Sequence, residues 1–124
     1  MVKTRAFTLI ELIVVLAIVA LLLTLAMPRY FQSIDTSKEA VLKENLHTLR
    51  STIDKFYADK GRYPESLEEL VELKYLRGVP LDPMTEQRET WVIVAPDGDF
   101  KGRVFDVKSG APGNANDGKP YSEW

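Results

Sequence analysis

From Phe7 to Met27 the chain is an almost unbroken apolar run, interrupted only by Thr8, Glu11 and Thr24. Wound as an α-helix at about 1.5 Å per residue, such a run is roughly 30 Å long, the thickness of a bilayer's hydrocarbon core. It leaves fewer than a hundred of the 124 residues to build a soluble core. A domain of that size is only modestly stabilised by burial, so support from neighbouring subunits is expected. The flanks set the orientation. Lys3 and Arg5 precede the run and no acid lies among the first ten residues. Positive charge there keeps the N-terminus in the cytoplasm and puts everything after Met27 outside it. The basic leader is very short, and no small-x-small cleavage site follows the apolar stretch, which argues against an ordinary secretory signal. An uncleaved signal anchor remains open.

Pro28 follows at once, where it removes a helical hydrogen bond and crowds the carbonyl four residues back. Beyond it, Leu42, Leu46, Leu49, Ile53 and Phe56 fall at spacings of 4, 3, 4 and 3, a single apolar stripe on an otherwise polar helix. Glu39 and Lys43 are placed four apart on its wet face. The helix is predicted to run to about Asp59 and to stop at Gly61, with Pro64 close behind. Ser66 and Glu69 form a capping-box pattern opening a short helix with Leu67, Leu70, Val71 and Leu73 turned inward. Gly78, Pro80, Asp82 and Pro83 mark a loop. Two strand-like runs, Trp91 to Ala95 and Arg103 to Val107, flank the turn signal Pro96-Asp97-Gly98-Asp99, so a hairpin is predicted. The stretch from Ser109 to Gly118 reads as loop. The fold class is therefore α+β: one long N-terminal helix, transmembrane then amphipathic, packed on a short helix and a small antiparallel sheet.

Glu11 is the residue that demands an explanation. A carboxylate near the centre of a membrane helix costs about 2.5–3.5 kcal/mol on insertion scales, less toward the edge. Either it sits at the interface among headgroups, or it takes a cation from another chain. Were the chain cut after Ala6, Phe7 would carry a charged α-amine that Glu11 of a neighbour could bind, which would set the axial offset between packed helices. The same cut would move the net charge from −2 to about −4, because Lys3 and Arg5 leave with the leader.

Other chemistry is poorly supplied. There is no cysteine, so disulfides, thiolate metal sites and a cysteine nucleophile are excluded, although the compartment is left undecided. His47 is the single histidine and lies beside the apolar stripe, in a boundary position. With no Ser-His-Asp grouping at readable spacing, hydrolysis has no support and no enzyme is expected. Trp91, Tyr57 and Tyr63 read as core or boundary aromatics, and without a basic groove they make no nucleic-acid platform.

The segment Lys3-Thr4-Arg5-Ala6-Phe7-Thr8-Leu9-Ile10-Glu11-Leu12-Ile13-Val14-Val15 resembles the type III signal of type IV pilins and type II secretion pseudopilins. The resemblance implies a leader of residues 1–6, cut between Ala6 and Phe7 by a prepilin peptidase that methylates the new Phe7 amine. It also makes Glu11 the acid required for subunit addition. Ala6 stands where the family usually has glycine. Pro28 falls at the family proline where the helix loosens during assembly. The implied division is leader 1–6, transmembrane and assembly helix 7–28, and a periplasmic pilin-like domain 29–124.

Arg62-Tyr63-Pro64, the capped helix, Val79-Pro80-Leu81-Asp82-Pro83 and the ending from Asp106 to Trp124 are similar to the major pseudopilin of type II secretion. That group's C-terminal loop binds calcium, so the resemblance nominates Asp106, Ser109, Asn114, Asn116 and Asp117 as ligands. The family loop usually carries two or more closely spaced acids, whereas here Asp117 alone lies inside it, and a loop held by turn hydrogen bonds is the competing reading. The implied function is a major-type pseudopilin that is assembled from the inner membrane into a periplasmic filament driving protein export. Its partners would be copies of itself, prepilin peptidase, the assembly platform and minor pseudopilins. A major or minor pilin of a type IV pilus, and a signal-anchored monomeric periplasmic binding domain, are the alternatives.

Overall fold

The computed structural model describes residues 5–124, so most of the expected leader, Met1 to Thr4, lies outside the described residues. The chain divides into two compact units, the first ending at Asp35 and the second spanning Thr36–Trp124. Helix α1 (Leu9–Lys60) contributes to both, with Pro28 inside it. Two features explain where α1 begins and ends. Thr8 caps its start, with the Thr8 Oγ1 accepting from the Glu11 N–H at 3.1 Å. At its other end Gly61 takes φ +69°, a left-handed conformation that glycine adopts without steric cost, and its N–H donates to the Tyr57 carbonyl at 2.8 Å.

Among the described residues of the first unit, the apolar side chains from Phe7 to Phe31 are exposed. None of the most apolar stretch of α1 is buried. By length and composition α1 is able to cross a membrane.

The second unit has a core built on the predicted stripe. Leu42, Leu46, Leu49, Ile53 and Phe56 are all buried. Against them pack Leu67 and Leu70 from α2 (Leu67–Glu72), together with Trp91, Val104, Val107, Ala111, Ala115 and Tyr121. The capping box also forms. Ser66 Oγ accepts from the Glu69 N–H at 3.2 Å, while Glu69 Oε2 accepts from the Glu65 N–H at 3.3 Å, one residue before the cap. Arg62 Nη2 lies 2.6 Å from Glu69 Oε1, outside hydrogen-bond alignment, so charge holds that contact. Burial alone would raise the Glu69 pKa, but the Arg62 guanidinium and the Glu65 N–H outweigh it and the net shift is downward. Ser66→Ala is expected to lower stability by about 1 kcal/mol, or roughly 5 °C in Tm, when unfolding of the full chain in detergent is followed by tryptophan fluorescence. Leu73, expected to turn inward, is 45% exposed, because α2 ends at Glu72 and Lys74 takes φ +66°.

The sheet is smaller than the pattern suggested. β1 (Val92–Val94) and β2 (Asp106–Lys108) pair antiparallel, with Val92 opposite Lys108, Ile93 opposite Val107 and Val94 opposite Asp106. Trp91, Ala95 and the segment Arg103 to Phe105 fall outside the strands. The reason is competition for the backbone. The Arg103 and Val104 N–H groups both donate to the Pro64 carbonyl, at 3.0 and 2.9 Å, and the Tyr63 N–H donates to the Lys101 carbonyl. Residues 101–104 are thereby bonded to the segment before α2 rather than to β1. Gly102 sits at φ +100° so close to the Tyr63 carbonyl that a Cβ would collide with it. Tyr57 and Tyr63 are half-buried and stack at 4.5 Å, while Trp91 is buried with its Nε1 donating to the Pro80 carbonyl at 2.8 Å.

Candidate assembly site

Each sequence-predicted site residue has a definite place. In the first unit Ala6, Phe7 and Glu11, with Arg5, line one open concavity at the start of α1. Phe7 is 81% exposed, and Glu11 lies in the first turn of the helix, four residues on. The position suits an anion, because the first-turn N–H groups and the helix dipole favour negative charge there. That is a partial compensation. Among the described residues no cation pairs with the Glu11 carboxylate. It is a single acid on an apolar helix with its counter-charge not supplied from within the described chain. Pro28 lies well inside α1, and the helical assignment continues across it to Lys60.

The C-terminal candidates are committed to separate protein partners. Asp106 Oδ1 is 2.8 Å from Arg50 Nε and also accepts from the Val107 N–H at 2.7 Å. Ser109 is fully buried, with its Oγ donating to Asp82 Oδ2 at 2.6 Å and accepting from the Ala111 N–H at 3.1 Å. Asn116 donates from its backbone N–H to Glu39 Oε1 at 2.8 Å and from its side chain to Thr36 Oγ1 at 3.3 Å. Asp117 Oδ1 accepts from the Lys119 N–H at 2.9 Å, and Asn114 pairs with Pro120 across a short bridge. Among the described residues no group of three or more His, Cys, Asp or Glu side chains is placed to hold a metal ion. Calcium takes six to eight oxygens, usually with several carboxylates. Of the five nominated residues one carboxylate is neutralised by Arg50 and the hydroxyl is buried on another acid. As placed, this donor set is poor in free carboxylates for calcium, and turn hydrogen bonds close the loop: Ala115 N–H to Lys119 carbonyl at 2.7 Å, and Gly118 N–H to Ala115 carbonyl at 2.9 Å.

Three residues that organise this end of the domain carried no signal of that role in the sequence. Glu39 was expected on the wet face of α1 paired with Lys43. Instead its Oε1 accepts from both Asn116 and the Tyr121 hydroxyl, the latter at 3.0 Å. Lys43 turns to the Trp124 ring, 4.9 Å from its centroid. Arg50 and Asp82, each reaching a segment far along the chain, are the other two. His47 is exposed on α1 and is not part of any of these contacts.

Comparison with known proteins bears on about half of the chain. The family model for the prokaryotic N-terminal methylation motif matches residues 1–27. The type IV major pilin protein PilA of Myxococcus xanthus is 35% identical over 68 residues, which cover 55% of this chain and 31% of that protein. The type II secretion system core protein G of Xanthomonas campestris is 33% identical over 64 residues, covering 52% of this chain and 45% of that protein. The chain thus spans less than half the length of these curated relatives. No solved structure matches it. An exposed apolar helix opening on Phe7 and Glu11, carried by a small α+β domain, accords with these matches: the chain bears a prepilin-type N-terminal methylation motif and is homologous to a type IV pilin and to a type II secretion pseudopilin.

Proposed function

We propose that this chain is a filament subunit of the pseudopilin type, made as a prepilin in the bacterial inner membrane and assembled into a periplasmic filament that drives protein export by type II secretion. The observation that carries the reading is the lone Glu11 carboxylate in the first turn of an uncovered apolar helix, four residues after Phe7. In this reading residues 1–6 are the leader, 7–28 the assembly helix, and 29–124 the periplasmic domain. Prepilin peptidase cuts between Ala6 and Phe7 and methylates the Phe7 amine. Lipid is already apolar, so burial alone gives little preference for the filament over the bilayer. Helix packing and the pairing of Glu11 with the Phe7 ammonium of a neighbouring copy supply that preference. Pro28, which removes one helical hydrogen bond, is the place where α1 loosens as subunits pack. The reading needs no catalytic group.

A second reading, a type IV pilus subunit, is supported by the match to PilA, which is as long and as close as the match to core protein G. Both share the assembly chemistry and differ in the machine served. The similarity of the Val79 to Pro83 loop and the C-terminal segment to pseudopilins favours the first.

Mass spectrometry of the chain from cells with active prepilin peptidase tests the common core. The expected product begins at Phe7 and carries one added methyl group on its amine. A chain that retains Met1, with its leader intact, would instead support a signal-anchored monomer. Deletion in the native host then separates the machines. Loss of a secreted protein with surface pili intact supports the secretion assignment, and the converse supports the pilus.

A further inference from the structure

Half-buried Arg50 of α1 ties β2 and the last residues of the second unit to the helix. Arg50 Nε donates to Asp106 Oδ1 at 2.8 Å, and Nη2 donates to the Val107 carbonyl at 3.0 Å and to the Trp124 carbonyl at 2.5 Å. One rigid, permanently charged fork therefore holds the helix, β2 and the chain beyond residue 120 together. The cavity beside it is lined by Lys43, Arg50 and Lys119 against Asp117 and Glu123, with the Trp124 ring under Lys43. A divalent cation would meet the positive charges of Lys43, Arg50 and Lys119 there, opposed by the carboxylates of Asp117 and Glu123, while a third acid, Asp106, is already paired with Arg50.

We infer that Arg50 performs in this chain the gathering role that a loop-bound calcium ion performs in related C-terminal loops, so that the domain folds independently of divalent metal. Carbonyl and carboxylate oxygens of β2 and the C-terminal segment need a positive centre to be brought together. The guanidinium provides it covalently, from the helix that also carries the core stripe. Such a subunit would keep its fold where free calcium is scarce. The inference concerns folding of the second unit and does not depend on the filament reading.

The test uses the full chain in detergent micelles, with unfolding followed through the fluorescence of the buried Trp91. The parent protein is melted in excess EDTA and in millimolar calcium chloride. Its Tm is expected to agree within about 1 °C, whereas a ligand at a hundredfold excess over its dissociation constant would raise it by on the order of 10 °C. Arg50→Ala is expected to lower Tm by roughly 5–10 °C. Arg50→Lys, which keeps the charge but loses the fork, should fall between the two. A Tm of the parent protein that climbs by several degrees in calcium or drops in EDTA overturns the inference, and this comparison needs no variant to fold. An Arg50→Ala chain as stable as its parent overturns it equally.

Discussion

Glu11→Ala is expected to yield a chain that inserts into the membrane and is cut at the same bond, yet forms no filaments. Two effects act in the same direction. In the bilayer the parent carboxylate is a burden, smaller in the first turn of α1 than the about 2.5–3.5 kcal/mol of an acid at a helix centre, so its removal makes the lipid-embedded monomer more comfortable. In the filament the same carboxylate would meet the Phe7 ammonium of a neighbouring copy, and alanine has nothing to offer that charge. Loss of about 3 kcal/mol per added subunit is about a hundredfold in its affinity for the growing end. Sheared or cross-linked filaments should therefore vanish from the variant while the processed monomer stays in the membrane fraction. Glu11→Gln separates charge from shape: it keeps a polar group of the same size, and should assemble as poorly as alanine if ammonium pairing is the cause. Filaments of Glu11→Ala at the parent's yield would dismiss the pairing.

What could be read before the structure, and what could not, divides along the range of the interactions involved. The stripe from Leu42 to Phe56, the Ser66 cap and the stop at Gly61 are local signals, each contained within a few residues, and each is found where expected. Phe7 and Glu11 stand out in the sequence for the same reason, being only four residues apart. The strand bounds were not, because the fate of Arg103 and Val104 is decided by Pro64, some forty residues away, whose carbonyl captures both N–H groups. The partners of the C-terminal oxygens were hidden in the same way. Asp106 and Ser109 have the composition of ligands, and only the fold reveals that Arg50 and Asp82 have taken them. Nothing in the neighbourhood of either partner marks it. Asp82 in particular looks like one more turn residue between Pro80 and Pro83.

That residue carries the second large effect. Asp82→Ala is expected to destabilise the domain by about 3–5 kcal/mol, the sum of two hydrogen bonds to a charged acceptor at about 1.5–3 kcal/mol each, with some relaxation. Asp82 is fully buried. Its Oδ2 accepts the Ser109 hydroxyl at 2.6 Å and its Oδ1 accepts the Met84 N–H at 2.9 Å, which joins the Val79 to Pro83 loop to the C-terminal segment. Its own backbone closes the adjoining turn, with the Asp82 N–H donating to the Gln87 carbonyl at 2.9 Å and its carbonyl accepting from the Glu86 N–H at 2.7 Å. The backbone bonds survive substitution, so the loss measured is that of the side chain. Alanine leaves the half-buried Met84 N–H and the fully buried Ser109 hydroxyl without their acceptor, and the cost is chiefly the desolvation of the latter. Asp82→Asn discriminates between charge and connectivity. Its amide oxygen can still accept from Met84 and its NH₂ can donate to Ser109 Oγ, so it should recover part of the loss, while Ser109→Ala removes one bond and should cost less than Asp82→Ala. Denaturant melts of the three variants, with an unchanged m-value as the sign of an intact native fold, give the comparison. If Asp82→Ala unfolds at the parent's midpoint, the carboxylate is a bystander, and the two loops are held by the surrounding apolar contacts alone.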